Sequence, residues 1–322
     1  MSDTPRIILH NKTTAQLAQR LLAVYPRADF RECNSYEDLP ALIETYQPDV
    51  VYSVRFEGTP GFPSDALFGP GGPRWIANGG AGTDHYGRWN SDSVTVTNAA
   101  GVAAGMMAEY IFGAFLHFTL DIPGLQKDKN KRLWNARMVR PLAGQTLLII
   151  GLGHTGKAVA ARAKAFGMKV LGTRARPQAM EHIDEVHAAS DLPALLPRAD
   201  FIAISTPLIP ATQGLIGEQE IASMQPHAIL ADVSRGGVVD QAALHAALKA
   251  GHLAGAALDV FETEPLPPTS PLWALENVVI SPHCSSVYAD WETASFELFL
   301  ENLGRWIKGS ALVNIVDPAR GY

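Results

Sequence analysis

The sequence predicts an α/β protein in which two series of strands and helices each form a parallel sheet. Three observations support this fold class. The chain has 322 residues, about twice the length of a typical domain. Short apolar segments alternate with segments in which apolar residues recur at helical spacing. The composition, with 47% hydrophobic and 18% charged residues, supports sizeable cores and excludes an intrinsically disordered chain.

The first series of elements extends from the N-terminus to about Asn98. Its predicted helix is Thr13–Tyr25, where Leu17 and Leu21 recur at helical spacing. Because helical segments separate the strands, we expect parallel pairing with crossover connections. The strand candidates are short and apolar, and they are Arg6–His10, Val50–Val54, Trp75–Asn78 and Val94–Asn98.

The second series follows a long apolar helix. Ala103–His117 has apolar residues on most sides, which predicts a largely buried helix. A polar stretch, Gln126–Arg132, comes next. The last predicted helix, about Asp290–Lys308, comes after the series is complete, so we expect the chain to cross back to the first domain. The strand candidates of this series are Thr146–Ile150, Val170–Thr173, Phe201–Ser205, Ile229–Val233, Ala256–Val260 and Val278–Ser281.

Charge and cysteine content restrict the class of partner. The formal net charge is −6, which repels DNA and anionic membranes, so we expect a small-molecule partner, with no nucleic-acid or membrane partner. Cys33 and Cys284 predict neither a disulfide framework nor a cysteine-based metal site, and we expect no metal. The first residues lack a signal-peptide pattern, and no apolar run reaches the ~18 residues that span a bilayer. We therefore expect a cytoplasmic protein.

A glycine motif, GLGHTG at residues 151–156, lies between the strand Thr146–Ile150 and a predicted helix, Lys157–Phe166. GxGxxG between a strand and a helix is specific for dinucleotide binding. The same residues also fit a nucleotide-triphosphatase loop up to Lys157. That alternative is weaker, because Ala158 has no hydroxyl for magnesium.

Each glycine of the motif has a separate predicted role. Gly151 permits the tight turn, Gly153 lets backbone N–H groups approach a pyrophosphate, and Gly156 lets the helix pack against the strand. The helix N-terminus then faces the anion, which its dipole favours. His154 and Thr155 lie inside the loop and are predicted to contact the cofactor through the backbone.

Two arginines predict the choice of cofactor. An acidic residue about 20 positions after the motif would bind the ribose hydroxyl of NAD, but Lys157–Met180 contains no acidic residue. Arg174 and Arg176 follow the second strand, and guanidinium groups suit a 2′-phosphate. We therefore predict that NADP(H) is preferred and NAD(H) is possible. The alternative is that one or both arginines are only solvated.

Three motifs follow at predicted strand ends, where open α/β sheets bind ligands. DVSRGGVVD contains Arg235, AALDVFETEPLP contains Asp259 and Glu264, and VVISPHCSS contains His283. Taken singly, such a histidine could be a turn residue and such an arginine a surface charge. Their shared position downstream of a nucleotide loop favours a functional interpretation.

Together with NGGAGTDHYG at residues 78–87 and AEYIFG at residues 108–113, these motifs resemble the D-isomer-specific 2-hydroxyacid dehydrogenase family, especially its glyoxylate/hydroxypyruvate reductase branch. The resemblance covers nearly the whole chain. It implies a Rossmann dinucleotide-binding domain at residues 100–285. It also implies a discontinuous flavodoxin-like substrate domain at residues 1–99 and 286–322, and a homodimer.

The resemblance also implies roles for individual residues. Arg235, Glu264 and His283 would be the catalytic set, with Arg235 and His283 also contacting the substrate. Asp259 would be the acid near the nicotinamide. Other predicted substrate contacts are the backbone amides of Ala81 and Gly82, which would hold the carboxylate. Arg55 follows a strand of the first series and is predicted to contact a distal group of the substrate, with a surface role as the alternative. The remaining predicted cofactor contacts are Thr206, Pro207, Val233 and Ser285.

These residue types suit the reduction of a 2-keto acid, which needs a hydride on carbon and a proton on oxygen. Nicotinamide supplies the hydride. The imidazolium of His283 can supply the proton, and Glu264 beside it would favour that charged form. Arg235 can hold the carboxylate and polarise the carbonyl. We therefore expect NADPH-dependent reduction of glyoxylate, hydroxypyruvate or a similar acid to a D-2-hydroxy acid.

Two alternatives remain at this point. Formate oxidation occurs on the same fold, but it has no oxygen to protonate, and the formate enzymes carry Gln where this chain has Glu264. A dinucleotide-sensing interaction protein, similar to the corepressors built on this fold, retains much of the catalytic set. One departure from the family pattern is Asp232, which stands where Asn is frequent.

Overall fold

The computed structural model describes residues 4–56 and 59–320. They form two compact units, which are residues 4–102 with 288–320 (the first unit) and Ala103–Val287 (the second unit). Each unit is built on one sheet whose paired strands run parallel, which confirms the predicted α/β class. The predicted domain limits lie close to this division. The assignment of the first unit to the substrate stays a prediction.

The first unit is a five-stranded sheet with helices on both faces. Its elements are β1 (Arg6–His10), α1 (Ala15–Val24), β2 (Asp29–Cys33), α2 (Leu39–Tyr46), β3 (Val50–Ser53), α3 (Ser64–Phe68), β4 (Trp75–Asn78), β5 (Thr95–Asn98) and the C-terminal helix Trp291–Ile307. The strand order, β2-β1-β3-β4-β5, is flavodoxin-like. Side chains alternate across the sheet: Ile7 and Leu9 pack with α1 and the C-terminal helix, whereas Ile8 packs with α2 and α3.

The second unit is a seven-stranded sheet, also covered on both faces. Its strands are β6 (Thr146–Ile150), β7 (Lys169–Thr173), β8 (Glu185–His187), β9 (Phe201–Ile204), β10 (Ile229–Asp232), β11 (Gly255–Leu258) and β12 (Val278–Ile280). Its helices are α4 (Ala104–Thr119), α5 (Ile122–Lys131), α6 (His154–Ala165), α7 (Leu192–Leu195), α8 (Glu218–Ser223) and α9 (Gln241–Lys249). Leu147 and Ile149 pack with α4 and α6, and Leu148 and Ile150 pack with α7, α8 and α9. The order β12-β11-β10-β9-β6-β7-β8 is the doubly wound order of dinucleotide-binding sheets, and it reverses between β6 and β9.

The structure adds elements that the sequence pattern did not predict. The stretch predicted only as polar, Gln126–Arg132, lies mostly within helix α5, whose first turn is capped by the Asp121 side chain. Strands β2 and β8 are edge strands whose residues, apart from the buried Cys33, are exposed or half-buried, so they lack a continuous apolar run. Helix α6 begins at His154 rather than Lys157, because Gly153 is already its N-cap.

Membrane-spanning helices and clustered metal ligands are both absent from the described part of the chain. In residues 4–56 and 59–320, no helix is both long and apolar enough to cross a bilayer. The same residues contain no cluster of three or more His, Cys, Asp or Glu side chains arranged to hold a metal ion.

Candidate active site

The glycine loop (residues 151–156) connects β6 to α6 at the point where the strand order of the second unit reverses. Gly151 has a φ of +102°, and a Cβ there would lie 2.9 Å from backbone atoms of Ser205 and Thr206. A Cβ on Gly156 would lie 2.2 Å from the carbonyl oxygen of Gly151. A Cβ on Gly153 would meet no atom within 4 Å. Gly151 and Gly156 are therefore required by the protein's own packing, whereas Gly153 faces open space.

The other predicted cofactor contacts in the second unit lie along the same sheet edge, since each follows the carboxyl end of a strand. Arg174 and Arg176 follow β7, and Arg174 is half-buried whereas Arg176 is exposed. Neither forms an ion pair with a carboxylate in the described part of the chain. The remaining contacts are Thr206 and Pro207 after β9, Val233 after β10, and Asp259 and Ser285 after β11 and β12.

His283 and Glu264 form a direct hydrogen bond in the second unit. The distance between His283 Nδ1 and Glu264 Oε2 is 2.9 Å, and the other carboxylate oxygen accepts from the Phe261 N–H at 3.0 Å. Burial acts to raise the pKa of Glu264, but the bonds from His283 and Phe261 and the charge of Arg235 hold it below its ordinary value. The side chains of His283 and Glu264 are 40% and 36% exposed. The pair is therefore an ionisable donor oriented by a carboxylate and open to a ligand.

Asp259 anchors the segment that carries His283. Its carboxylate accepts hydrogen bonds from the N–H groups of Cys284 (2.8 Å) and Ser285 (3.0 Å) and from the Ser281 hydroxyl (2.6 Å). The His283 N–H donates to the Asp259 carbonyl at 2.9 Å. With φ at +51°, His283 adopts a left-handed conformation that is uncommon for residues other than glycine. The bonds to Asp259 hold that conformation. The contact of Asp259 with the nicotinamide stays a prediction.

The side chains that support Asp259 were not predicted from the sequence. The Tyr110 hydroxyl in α4 lies 2.7 Å from the Ser281 hydroxyl, which in turn donates to Asp259. Burial raises the pKa of Tyr110 to about 12, so it keeps its proton at neutral pH. The AEYIFG motif contains this tyrosine. Its partner is 171 residues away, so no local pattern could have identified the contact.

Arg235 follows β10, and its guanidinium bonds to the neighbouring backbone. Its Nη1 donates to the Ser234 carbonyl at 2.7 Å. A Cβ on the next residue, Gly236, would lie 1.8 Å from the Phe261 carbonyl oxygen, so only glycine allows this close approach. The charge of Arg235 reaches both Glu264 and Asp232: it helps to lower the pKa of Glu264 and opposes the rise that burial causes in the pKa of Asp232. Arg235, Glu264 and His283 are thus grouped at one edge of the sheet.

In the first unit, residues 79–83 form a loop after β4, here called the amide loop. The Asn78 side chain donates to the carbonyls of Gly80 (2.8 Å) and Gly82 (2.9 Å), and Asn98 donates to that of Ala81 (2.7 Å). The Ser295 hydroxyl donates to the Gly79 carbonyl, at 2.6 Å. The N–H groups of residues 80–83 donate to no acceptor within residues 4–56 and 59–320. Such consecutive N–H groups make an anion-binding concavity.

Arg55 also belongs to the first unit. It follows β3 and is exposed. Burial raises the pKa of Tyr36, and the charge of Arg55 opposes that effect, so Arg55 lies near this ring. Glu57 and Gly58, which come directly after, lie outside the described residues.

Comparison with known proteins agrees with this geometry. Residues 112–285 match the family model described as "D-isomer specific 2-hydroxyacid dehydrogenase, NAD binding domain". The chain belongs to the D-isomer-specific 2-hydroxyacid dehydrogenase family. It is therefore an NAD(P)-dependent dehydrogenase with a Rossmann-type NAD-binding domain. The family resemblance seen in the motifs is confirmed.

Individual relatives place the chain within this dehydrogenase family. A glyoxylate reductase of Korarchaeum cryptofilum is 38% identical over 232 residues, which are 70% of this chain and 69% of that protein. The crystal structure of a D-isomer specific 2-hydroxyacid dehydrogenase from Xanthobacter autotrophicus, in complex with NADPH and MES, is 31% identical with a TM-score of 0.83. The matched region covers 99% of this chain and 100% of the Xanthobacter chain. An NADPH-dependent glyoxylate/hydroxypyruvate reductase from Sinorhizobium meliloti, in complex with NADP and sulfate, is 25% identical with a TM-score of 0.82. It covers 98% of this chain and 99% of its own.

The residues of this dehydrogenase suit a dinucleotide. The space in front of Gly153 stays open, and the first turn of the 12-residue helix α6 begins there. A pyrophosphate could approach the N–H groups of this turn without meeting a side chain at Gly153.

Proposed function

We propose that this dehydrogenase reduces small 2-keto acids, such as glyoxylate or hydroxypyruvate, to D-2-hydroxy acids. The observation that carries the proposal is the hydrogen bond between His283 and Glu264. It lies at the sheet edge that also holds the glycine loop and Arg235. Hydride addition to a carbonyl needs a proton donor for the oxygen, and a carboxylate-oriented histidine is such a donor. Relatives named glyoxylate reductase support the same substrate class.

Each residue has a defined part in the proposed reaction. The bound nicotinamide supplies the hydride. His283, as imidazolium, donates the proton from Nε2 to the carbonyl oxygen, and Glu264 stabilises the imidazolium through Nδ1. Arg235 polarises the carbonyl and holds the carboxylate. We assign the carboxylate also to the N–H groups of Ala81 and Gly82 in the amide loop. In the reverse direction neutral His283 accepts the hydroxyl proton.

We further propose that NADP(H) is the preferred cofactor and that NAD(H) binds more weakly. Arg174 and Arg176 follow β7 without a carboxylate partner in the described part of the chain, so they are available to a 2′-phosphate. Two solved relatives contain NADPH or NADP. Arg55 is proposed to contact a polar group at the far end of the substrate.

A second copy of the chain is the proposed protein partner. Trp134 and Met138 are fully exposed, and Leu133 and Val139 beside them are about half exposed. An apolar segment of this kind is typical of a surface that associates. A homodimer would cover it, and light scattering of the purified protein measures the mass directly.

The test of function is a panel of 2-keto acids assayed with NADPH and NADH by loss of absorbance. We expect turnover of glyoxylate or hydroxypyruvate by the wild type. His283→Gln is expected to lower kcat by about 10²- to 10⁴-fold, the usual contribution of general acid catalysis.

His227→Gln is the matched control for that variant. His227 pairs with Asp200 at 2.7 Å, but it precedes β10 and so lies at the opposite edge of the same sheet. We expect its kcat to equal that of the wild type. Turnover that survives unchanged in His283→Gln would refute the mechanism. Tight NADPH binding without turnover of any keto acid would favour a dinucleotide-sensing protein instead.

A further inference from the structure

The amide loop is bonded to the buried side chain of Asn78, the last residue of β4. Asn78 is 4% exposed. Its Nδ2 donates to two carbonyls of the loop, those of Gly80 and Gly82, and its Oδ1 accepts from the Tyr86 hydroxyl at 3.1 Å. Tyr86 is 3% exposed and lies in a single 3-10 turn, Asp84–Tyr86, just after the loop. All of these atoms belong to the first unit.

These bonds decide where the N–H groups of the loop point. In a trans peptide the C=O of one residue and the N–H of the next are antiparallel. Because Asn78 and Asn98 draw the carbonyls of Gly80, Ala81 and Gly82 towards the sheet, the N–H groups of the residues that follow them point away from it. Without bonds to its carbonyls, a loop of the same sequence would not be held with its N–H groups on one side.

Tyr86 and the two loop carbonyls together fix the orientation of the Asn78 amide. If the amide were turned over, its oxygen would face the two carbonyl oxygens of Gly80 and Gly82, and the Tyr86 hydroxyl would lose its acceptor. Burial raises the pKa of Tyr86, with the Ser53 side chain acting in the opposite direction, so the hydroxyl keeps its proton and remains a donor. Of the three side chains that bond to the loop carbonyls, those of Asn78, Asn98 and Ser295, the hydroxyl bonds to Asn78.

We propose that Asn78 and Tyr86 are positioning residues that pre-orient the amide loop for the carboxylate of the substrate. The inference rests on the proposed function, since it takes a 2-keto acid as the ligand. Neither side chain touches the reacting carbon. Their loss weakens carboxylate binding and leaves the hydride and proton steps intact, because those depend on residues of the second unit.

The experiment compares Tyr86→Phe, Asn78→Leu and the double variant in the full-length enzyme. Loss of one neutral hydrogen bond predicts about a 3- to 10-fold higher KM for glyoxylate in Tyr86→Phe. Loss of two donors to the loop predicts about a 10- to 100-fold higher KM in Asn78→Leu. In both, kcat stays within about twofold and NADPH affinity is unchanged. Because Tyr86 acts through Asn78, the double variant should be no worse than Asn78→Leu alone.

Tyr46→Phe is the matched control. Its hydroxyl also donates one side-chain hydrogen bond in the first unit, to Asp29 at 2.8 Å, and it contacts no residue of the amide loop. We expect its KM to equal that of the wild type. An equal rise of KM in Tyr46→Phe and Tyr86→Phe, an unchanged KM in Tyr86→Phe, or additive effects in the double variant would overturn the proposal.

A direct binding measurement separates this proposal from the proposed function. Oxalate is titrated calorimetrically into each variant saturated with NADP⁺, which needs no turnover. Binding by the wild type that weakens in Tyr86→Phe and Asn78→Leu, but not in Tyr46→Phe, supports the positioning role even if no keto acid is reduced. Equal oxalate affinity in all four proteins, or none in the wild type, contradicts it. A melting temperature measured for each variant identifies any that fails to fold.

Discussion

The glycine loop of the second unit and the amide loop of the first both present backbone N–H groups at the carboxyl edge of a parallel sheet, but they do so by different means. Residues 151–156 run directly into a helix, so the orientation of their N–H groups follows from the first turn of α6. Residues 79–83 lead into no long helix. Side chains of Asn78, Asn98 and Ser295 bind their carbonyls instead.

The two loops therefore differ in how their N–H groups are oriented, although each also contains a glycine that its packing requires. The glycine loop depends on side chains that are missing, since a Cβ on Gly156 would collide with the Gly151 carbonyl. The carbonyls of the amide loop depend on side chains that are present. A Cβ on Gly79, where the loop begins, would lie 2.6 Å from the Val54 side chain, but a Cβ on Gly80 would meet only Asn78 Nδ2, at an ordinary 3.7 Å. A glycine motif is easy to recognise in a sequence, whereas anchoring from the sheet below becomes visible only in three dimensions.

The largest expected effect comes from Gly156→Ala. The new Cβ lies 2.2 Å from a backbone oxygen, so either the loop or the start of α6 must move. We expect NADPH affinity to fall by roughly 100-fold or more, because a displacement near 1 Å at a positioned site has effects of that order. The melting temperature should fall as well. Fluorescence titration with NADPH and thermal unfolding measure the two effects.

Gly80→Ala is the counterpart in the amide loop. Its Cβ has room, so the melting temperature and NADPH affinity should match the wild type within error. If Gly80→Ala destabilises the protein as much as Gly156→Ala, the proposed difference between the two loops is wrong.

Arg174→Ala is expected to have an intermediate effect on NADPH affinity. It concerns the 2′-phosphate, an anion that we expect to be bound by side chains rather than by backbone N–H groups. Loss of a charge-assisted hydrogen bond to the 2′-phosphate should weaken NADPH by about 10- to 100-fold and leave NADH within about twofold. Arg198→Ala is the control, because Arg198 is already paired with Glu185 at 2.7 Å. A wild type that prefers NADH would contradict the assignment of Arg174.

The smallest effect concerns Asp232, the last residue of β10, which resembles Asn78 and Asn98 in bonding to the loop after its strand. Asp232 Oδ1 accepts from the Ser234 N–H at 2.9 Å. Burial raises the pKa of Asp232 to about 7 from its ordinary 3.8. The folded state therefore holds this proton more tightly than the unfolded state, and the free energy of unfolding falls as pH rises from about 4 to 7.

Asp232→Asn removes that fall in the free energy of unfolding, because asparagine does not titrate. The free energy of unfolding of the variant, relative to the wild type, should rise by roughly 1 to 2 kcal/mol between pH 5 and pH 8. Denaturant unfolding at both pH values measures it. A difference that does not change with pH would show that Asp232 is ionised throughout this range.

Elements with buried residues were predicted from the sequence better than exposed elements. The strands β1, β4 and β6 have the predicted limits, because strands in the middle of a covered sheet are continuously apolar. The edge strand β2 and helix α5 were missed, since both are largely exposed and need little apolar sequence. The same holds in the site: the motifs around Gly151 and His283 were recognised from local spacing, whereas Tyr110 and Tyr86 were not.

The sequence alone determined the α/β class, the dinucleotide motif and the family, because each is written in residue types at short, regular spacing. Only the tertiary structure decided that Asp259 anchors the His283 segment and that Asn78 orients the amide loop. The physical reason is that a hydrogen bond depends on the distance and direction between two atoms. Across strands, those quantities are set by sheet pairing and not by position along the chain.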